Sequence, residues 1–274
     1  MSIVLTIIVA IGLFLWLGLP ATLRALGLHP DYAGPSHTLA GGRALIVTTS
    51  QATLGPGGKA TGVFASELTA PYYEFQDGGM QVDVASIRGG EVPIEPDSFR
   101  WFLAARSDKR YLQDAAFQAK VKASSPIDKV DFLRYDVIFL AGGWGAAYDL
   151  GTSPVLGQKI TEAWAAGKVL GGVCHGPLGL LLAKDSNGEP LVKGKHLTAV
   201  TDRQVAQLGI QMTPQHPERE LRAAGARFES AHARFEPFAN LTVVDGRLVT
   251  GQNQNAGAET AQKMLLAAGG RPRP

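Results

Sequence analysis

A single cysteine, Cys174, stands in a chain of 274 residues. That scarcity excludes an intramolecular disulfide and a thiolate metal cluster. Charge is also sparse: charged residues make up 18% of the chain and the formal net charge is +2. A nucleic-acid or acidic-surface partner therefore has no support from bulk electrostatics. His29, His37, His196, His216 and His232 show no paired metal-ligand spacing with acids, so neither a metal nor a cofactor is expected. Gly55-Pro56-Gly57-Gly58-Lys59-Ala60 lacks the Ser or Thr after Lys that a phosphate-binding loop requires, and reads as a flexible loop. Internal repeats and a second domain are lacking as well.

The N-terminus, by contrast, is rich in apolar residues. Ile3 to Leu19 runs without a charge and ends at Pro20. At about 1.5 Å per residue such a helix nearly crosses a hydrocarbon core of about 30 Å. No Lys or Arg precedes the run and no small-residue cleavage site follows it, which favours an uncleaved single-pass helix over a secretory signal. Arg24 and Arg43 lie after the span, placing the domain on the cytoplasmic side by the positive-inside rule. Residues 1–28 are thus expected to form a transmembrane anchor with its flank, and Gly- and Pro-rich residues 29–42 a linker.

The folded domain is expected to occupy residues 43–268, with a disordered tail over residues 269–274. Arg43–Thr49, Tyr135–Ala141 and Lys168–Val173 are short apolar runs of the kind found in buried parallel strands, and Met80–Ile87 alternates. Helical spacing marks Thr61–Phe75, Pro154–Ala166, Glu218–Ala224 and Ala256–Ala267, and a largely helical stretch is expected over Phe99–Lys122. Further strands are expected at Leu197–Thr201, Asn240–Asp245 and Arg247–Thr250. The strand-then-helix alternation implies an α/β fold whose mostly parallel sheet is covered on both faces.

Gly172-Val173-Cys174-His175-Gly176 has the spacing of a nucleophile elbow with Cys at its tip. Small neighbours let the chain turn sharply from strand to helix. The side chain then projects at the carboxyl edge of the sheet, where open α/β folds bind ligands. A following helix over Gly176–Ala183 would favour a thiolate through its dipole, and His175 would add a cation or a base.

These residues reach a resemblance. Val173-Cys174-His175-Gly176-Pro177 is similar to the nucleophile motif of the PfpI and parkinsonism-associated deglycase superfamily, which has the class I glutamine amidotransferase-like fold. Thr61-Gly62-Val63-Phe64 with Glu67 and Pro71, Gly142-Gly143 with Gly145 and Asp149, and Gly246–Asn253 resemble its heat-shock-chaperone and glyoxalase III branch, in the same order along the chain. The resemblance implies a flavodoxin-like three-layer sandwich. It makes Cys174 the nucleophile, His175 its neighbouring histidine and Glu67 the carboxyl beside the sulfur. The N–H groups of His175 and of a residue near Gly143 would form an anion pocket, with Gly142, Trp144 and Gly176 around it. Trp144 stands where the branch carries a histidine. Val205 falls where it carries the acid that orients the histidine, with Asp202 as the candidate substitute.

The expected activity is glutathione-independent conversion of a small reactive dicarbonyl. A Cys-dependent amidase or peptidase of the same fold, and a non-catalytic chaperone or redox-stress protein at the membrane, are the alternatives. The partners expected are a carbonyl substrate, the membrane and a second copy of the chain.

Overall fold

The structure, a computed structural model, describes residues 3–55, 57–210 and 212–273. It opens with α1 (Ile3–Ala25), whose described residues are almost all exposed, then β1 (His37–Thr38) and β2 (Arg43–Thr48). Next come α2 (Ala65–Asp77), β3 (Gln81–Ser86), α3 (Arg106–Tyr111), α4 (Ala115–Lys122), β4 (Ser125–Pro126) and β5 (Val137–Leu140). The second half holds α5 (Ala146–Asp149), α6 (Pro154–Ala165), β6 (Val169–Val173), β7 (His196–Leu197) and α7 (Asp202–Leu208). It closes with α8 (Pro217–Ala223), β8 (Arg227–Phe228), β9 (Thr242–Asp245), β10 (Leu248–Gly251), α9 (Gly257–Ala267) and β11 (Arg271–Pro272).

Seven strands form the central sheet in the order β4-β3-β2-β5-β6-β10-β9. All neighbours are parallel except β9, which pairs antiparallel with β10. Side chains alternate between faces, so each strand feeds two cores. Ala44, Ile46, Val137 and Phe139 pack with Leu68 and Phe75 of α2 and Met264 of α9. Leu45, Val47, Ile138 and Leu140 pack with Leu156, Ile160 and Ala163 of α6. Burial on both faces is why these strands read as continuous apolar runs rather than alternating ones.

Several elements differ from expectation. The stretch after Phe99 breaks into α3 and α4. Asp114 caps α4, its side chain accepting from the Phe117 N–H. Leu197–Thr201 contributes only the short β7, which pairs with β8 outside the central sheet. The turn after Cys174 is a five-residue 3-10 helix, Gly176–Leu180, not an α-helix. Its dipole is correspondingly short, so little thiolate stabilisation comes from that source. The segment read as a linker and the tail read as disordered meet in an antiparallel ribbon, with His37 opposite Pro272 and Thr38 opposite Arg271. Gln262 of α9 fixes the same corner by accepting from the His37 N–H at 2.7 Å.

Candidate active site

Three carboxyl ends of the parallel sheet and one helix start converge. β6 runs into Cys174, whose φ of +58° lies in the left-handed region. A non-glycine residue there is strained, and that strain aims the side chain off the sheet edge. Two hydrogen bonds hold the bend: the Cys174 N–H donates to Gly251 O at 3.1 Å, and Cys174 O accepts from the Val200 N–H at 3.0 Å. Glycine is required on both sides. A Cβ at Gly172 would lie 2.5 Å from Leu140 O, and one at Gly176 only 2.0 Å from the same oxygen. Gly176 thus serves the close approach of the elbow to β5.

β5 supplies the opposing turn. A Cβ at Gly142 would sit 2.3 Å from Glu67 Oε2, 2.6 Å from Val173 O and 2.7 Å from His175 N. The bare backbone of Gly142 is therefore what lets the elbow and the Glu67 carboxyl meet. Gly143 has a φ of +92° and faces the backbone of Gly62 and Phe64 just ahead of α2. Glu67 lies in the first turn of α2 and is buried, its carboxyl facing the Cys174 sulfur and the backbone of Gly143 and Gly142. Its Oε2 has no partner of good hydrogen-bond geometry.

The protonation states follow from burial. Desolvation raises Glu67 from 4.5 to about 8, against the opposing hydrogen bonds from Cys174, Gly143 and Gly142. Burial also pushes the Cys174 thiol above its ordinary range, and an ionised Glu67 repels the thiolate further, while the Gly143 and His175 N–H groups favour it. Two acids this close titrate as a pair. At neutral pH both groups are mostly protonated; the proton lost near pH 8 leaves chiefly from Glu67, with the thiolate–carboxylic acid form in equilibrium with that state.

His175 is buried, with Nδ1 3.3 Å from Cys174 Sγ. Desolvation lowers it from 6.5 to about 3, so the ring is neutral at physiological pH. Of the two roles expected for it, cation or base, the neutral ring is compatible with the base. Its Nε2 is buried without a hydrogen-bond partner. Val205, at the position expected to hold the orienting acid, is buried in the same apolar cluster as Cys174 and Trp144. Asp202 does not take over that role. Its carboxylate faces His216 at 3.9 Å and Arg219 at 3.7 Å, and its side chain is 44% exposed. Trp144 packs its ring 4.9 Å from the His175 ring, tilted by 57°. Asp149 is structural, accepting from the Ser50 N–H at 2.8 Å to tie the exit of β2 to α5.

Cys174, His175, Glu67, Gly143 and Trp144 all border one cavity of ≈ 820 Å³. Much of its wall was not anticipated. Leu23 comes from α1, Leu28 from the turn after it, Leu103 and Ile210 from loops, and Phe238 from a short 3-10 helix, Glu236–Phe238. Isolated apolar residues in polar stretches carry no periodic signal that could have marked them. Among the described residues, no group of three or more His, Cys, Asp or Glu is placed to hold a metal ion.

The profile of the DJ-1/PfpI family matches residues 59–267. A glutathione-independent glyoxalase of Schizosaccharomyces pombe, hsp3101, is 29% identical over 234 residues, covering 82% of this chain and 95% of the yeast protein. Glyoxalase 3 of Candida albicans is 30% identical over 239 residues, covering 81% and 96% respectively. Among solved structures, glyoxalase III from Candida albicans superposes with a TM-score of 0.75 at 28% identity, covering 82% of this chain and 97% of its own. The 24 kDa Rapid Encystment Protein of Francisella tularensis gives 0.77 at 29% identity, covering 83% and 99%. The strained cysteine and its buried carboxyl partner thus sit on the scaffold that the sequence match delimits, and the chain belongs to the DJ-1/PfpI family.

Proposed function

We propose that the protein is a glutathione-independent, glyoxalase III-like enzyme in which Cys174 and Glu67 form the reacting pair. The observation that carries this reading is the apposition of the two acids across Gly142, where no side chain fits. The glyoxalase names of relatives that match most of the chain support it.

The reactive form is the singly ionised pair, a thiolate facing a carboxylic acid. Sulfur adds to the aldehyde carbon, C1, of a 2-oxoaldehyde, and the Glu67 proton passes to the new alkoxide, giving a hemithioacetal and a carboxylate. The carboxylate removes the hydrogen on C1, the hydroxyl proton on O1 crosses to O2, and Glu67 returns its proton to C2. The product of this isomerisation is a 2-hydroxy thioester on Cys174. Water cleaves it to the 2-hydroxy acid and the thiol, whose proton moves to Glu67. No external oxidant or reductant is consumed. The Gly143 and His175 N–H groups, which face the sulfur, stabilise negative charge developing beside it. His175 is neutral and can accept a proton, but its Nε2 lacks an orienting acid. That deficit weighs against a Cys–His amidase or peptidase, in which the imidazole is the main base.

Lactate formation from methylglyoxal without glutathione tests the reading. The wild-type protein is expected to produce it and Cys174→Ala to lose it by at least about a hundredfold. Equal lactate from both would sink the assignment.

Membrane attachment by α1 belongs to the same proposal. The helix spans 23 residues, is apolar and largely exposed, and meets the domain at Trp16 and Leu23. Arg24 follows its apolar run, which favours a cytoplasmic domain. Retention in the membrane pellet after alkaline carbonate extraction is the expected result; release into the supernatant refutes anchorage.

A further inference from the structure

Glyoxalase chemistry engages only two carbons of its substrate, and the rest of the cavity decides what those carbons can be attached to. A volume of ≈ 820 Å³ is far more than a three-carbon dicarbonyl fills. It lies in the range of about 300–1,000 Å³ typical of pockets for much larger ligands. The polar groups are unevenly placed. Glu67, Cys174 and His175 are buried together at the elbow, while Glu95 and the Lys59–Asp97 ion pair reach the cavity from other segments. Glu95 is already engaged, accepting from Thr61 Oγ1 at 2.7 Å. Apart from Gln254 and the Trp144 indole, the remaining side chains of the wall are apolar, among them Leu23, Leu28, Leu103, Ile210 and Phe238.

A second observation concerns the mouth. Large apolar side chains on the surface gather there: Leu208 is 48% exposed and Met212 70%, both lining the cavity, and Leu26 between the two wall leucines is 53% exposed. Next to Leu103, Trp101 stacks on Trp16 of the apolar helix with ring centroids 4.0 Å apart. The cavity therefore opens where α1 joins the domain, along a rim that water solvates poorly.

Resting on the glyoxalase reading above, we propose that the preferred substrates are amphipathic: 2-oxoaldehydes with an aliphatic tail, the dicarbonyl head at Cys174 and the tail along Leu28, Leu103 and Phe238 towards α1. Each methylene transferred from water to such a wall is expected to improve kcat/KM about fourfold until the wall is used up. The gain falls mainly in KM, because the tail contacts are the same in ground and transition states.

The test uses the full chain in lipid nanodiscs, with rates corrected for partition of each compound into lipid. Methyl-, butyl-, hexyl- and octylglyoxal are compared as substrates, and iodoacetamides bearing the same alkyl groups are compared as alkylating agents of Cys174, the chain's only cysteine. Expected are a kcat/KM and an alkylation rate that both climb with chain length, and an octyl-to-methyl ratio that drops at least tenfold in Leu103→Gln and in Ile210→Gln. Turnover of methylglyoxal with no rise along either series overturns the tail selectivity and leaves the glyoxalase reading standing. Alkylation that climbs with chain length while no glyoxal is turned over does the reverse: it supports the tail-binding wall and removes the reaction assigned to it.

Discussion

Cys174 is held in a backbone conformation that costs a non-glycine residue about 1–2 kcal/mol. The cost is met by the bonds to Gly251 and from Val200 and by the glycines that let β5 come close. A consequence can be measured in stability. Cys174→Gly and Cys174→Ala both remove the sulfur, but only glycine relaxes at a φ of +58°. The glycine variant is expected to be about 1 kcal/mol the more stable of the two in urea unfolding; the opposite order would show that the turn is not strained. At this scale much was legible. Cys174 was marked by the spacing of its elbow and Gly142, Gly143 and Glu67 by the family resemblance alone, and the structure brings the four together. What was not legible is the state of His175. Adjacency in sequence says nothing about burial, and burial is what makes the ring neutral.

Among the elements, the helix after the elbow and α7 decide how the site works. The helix is a single 3-10 piece, so charge stabilisation falls to individual N–H groups and to Glu67 rather than to a dipole. α7 begins with a capping box, Thr201 accepting from the Gln204 N–H and Gln204 reaching back to Thr201. The Thr-x-x-Gln spacing that marks this start is readable in the sequence, although its first residue, Thr201, was read as the end of a strand. Val205 follows in its first turn and presents a methyl surface where an acid was expected. Val205→Glu is expected to raise the pKa of His175 from about 3 by about one to three units, as a carboxylate near an imidazole does, at a stability cost of about 1–3 kcal/mol. An NMR titration of the His175 ring reads this directly, and an unmoved titration would place Val205 too far from Nε2. The elements least legible from sequence were those made by long-range pairing: β1 with β11, and β7 with β8. Two-residue strands carry no periodicity, and their partners lie far along the chain.

For the whole molecule, the buried pair links folding to pH. Glu67 ionises at about 8 when folded and at its ordinary 4.5 when unfolded. Its folded value is the higher, so the folded state binds the extra proton. The stabilisation is complete below pH 4.5 and is lost as pH rises towards about 8. The slope approaches about 1.4 kcal/mol per pH unit in that window. Glu67→Gln is expected to flatten it, and equal slopes in wild type and variant would mean the carboxyl is solvated. The architecture of a mostly parallel sheet covered on both faces was visible from the strand runs, whereas the cavity was not. Its walls draw on α1, a turn, two loops and a short 3-10 helix that only the closed fold assembles.

The central claim is that Cys174 and Glu67 hold their protons in common, and the single cysteine makes the test unambiguous. The measurement is the rate of Cys174 carboxymethylation against pH, for wild type and Glu67→Gln. The wild-type rate is expected to show an inflection near pH 8, where Glu67 ionises and begins to oppose the thiolate, and the variant to lack that inflection and follow the single ionisation of its buried thiol. Coincident profiles would contradict the account.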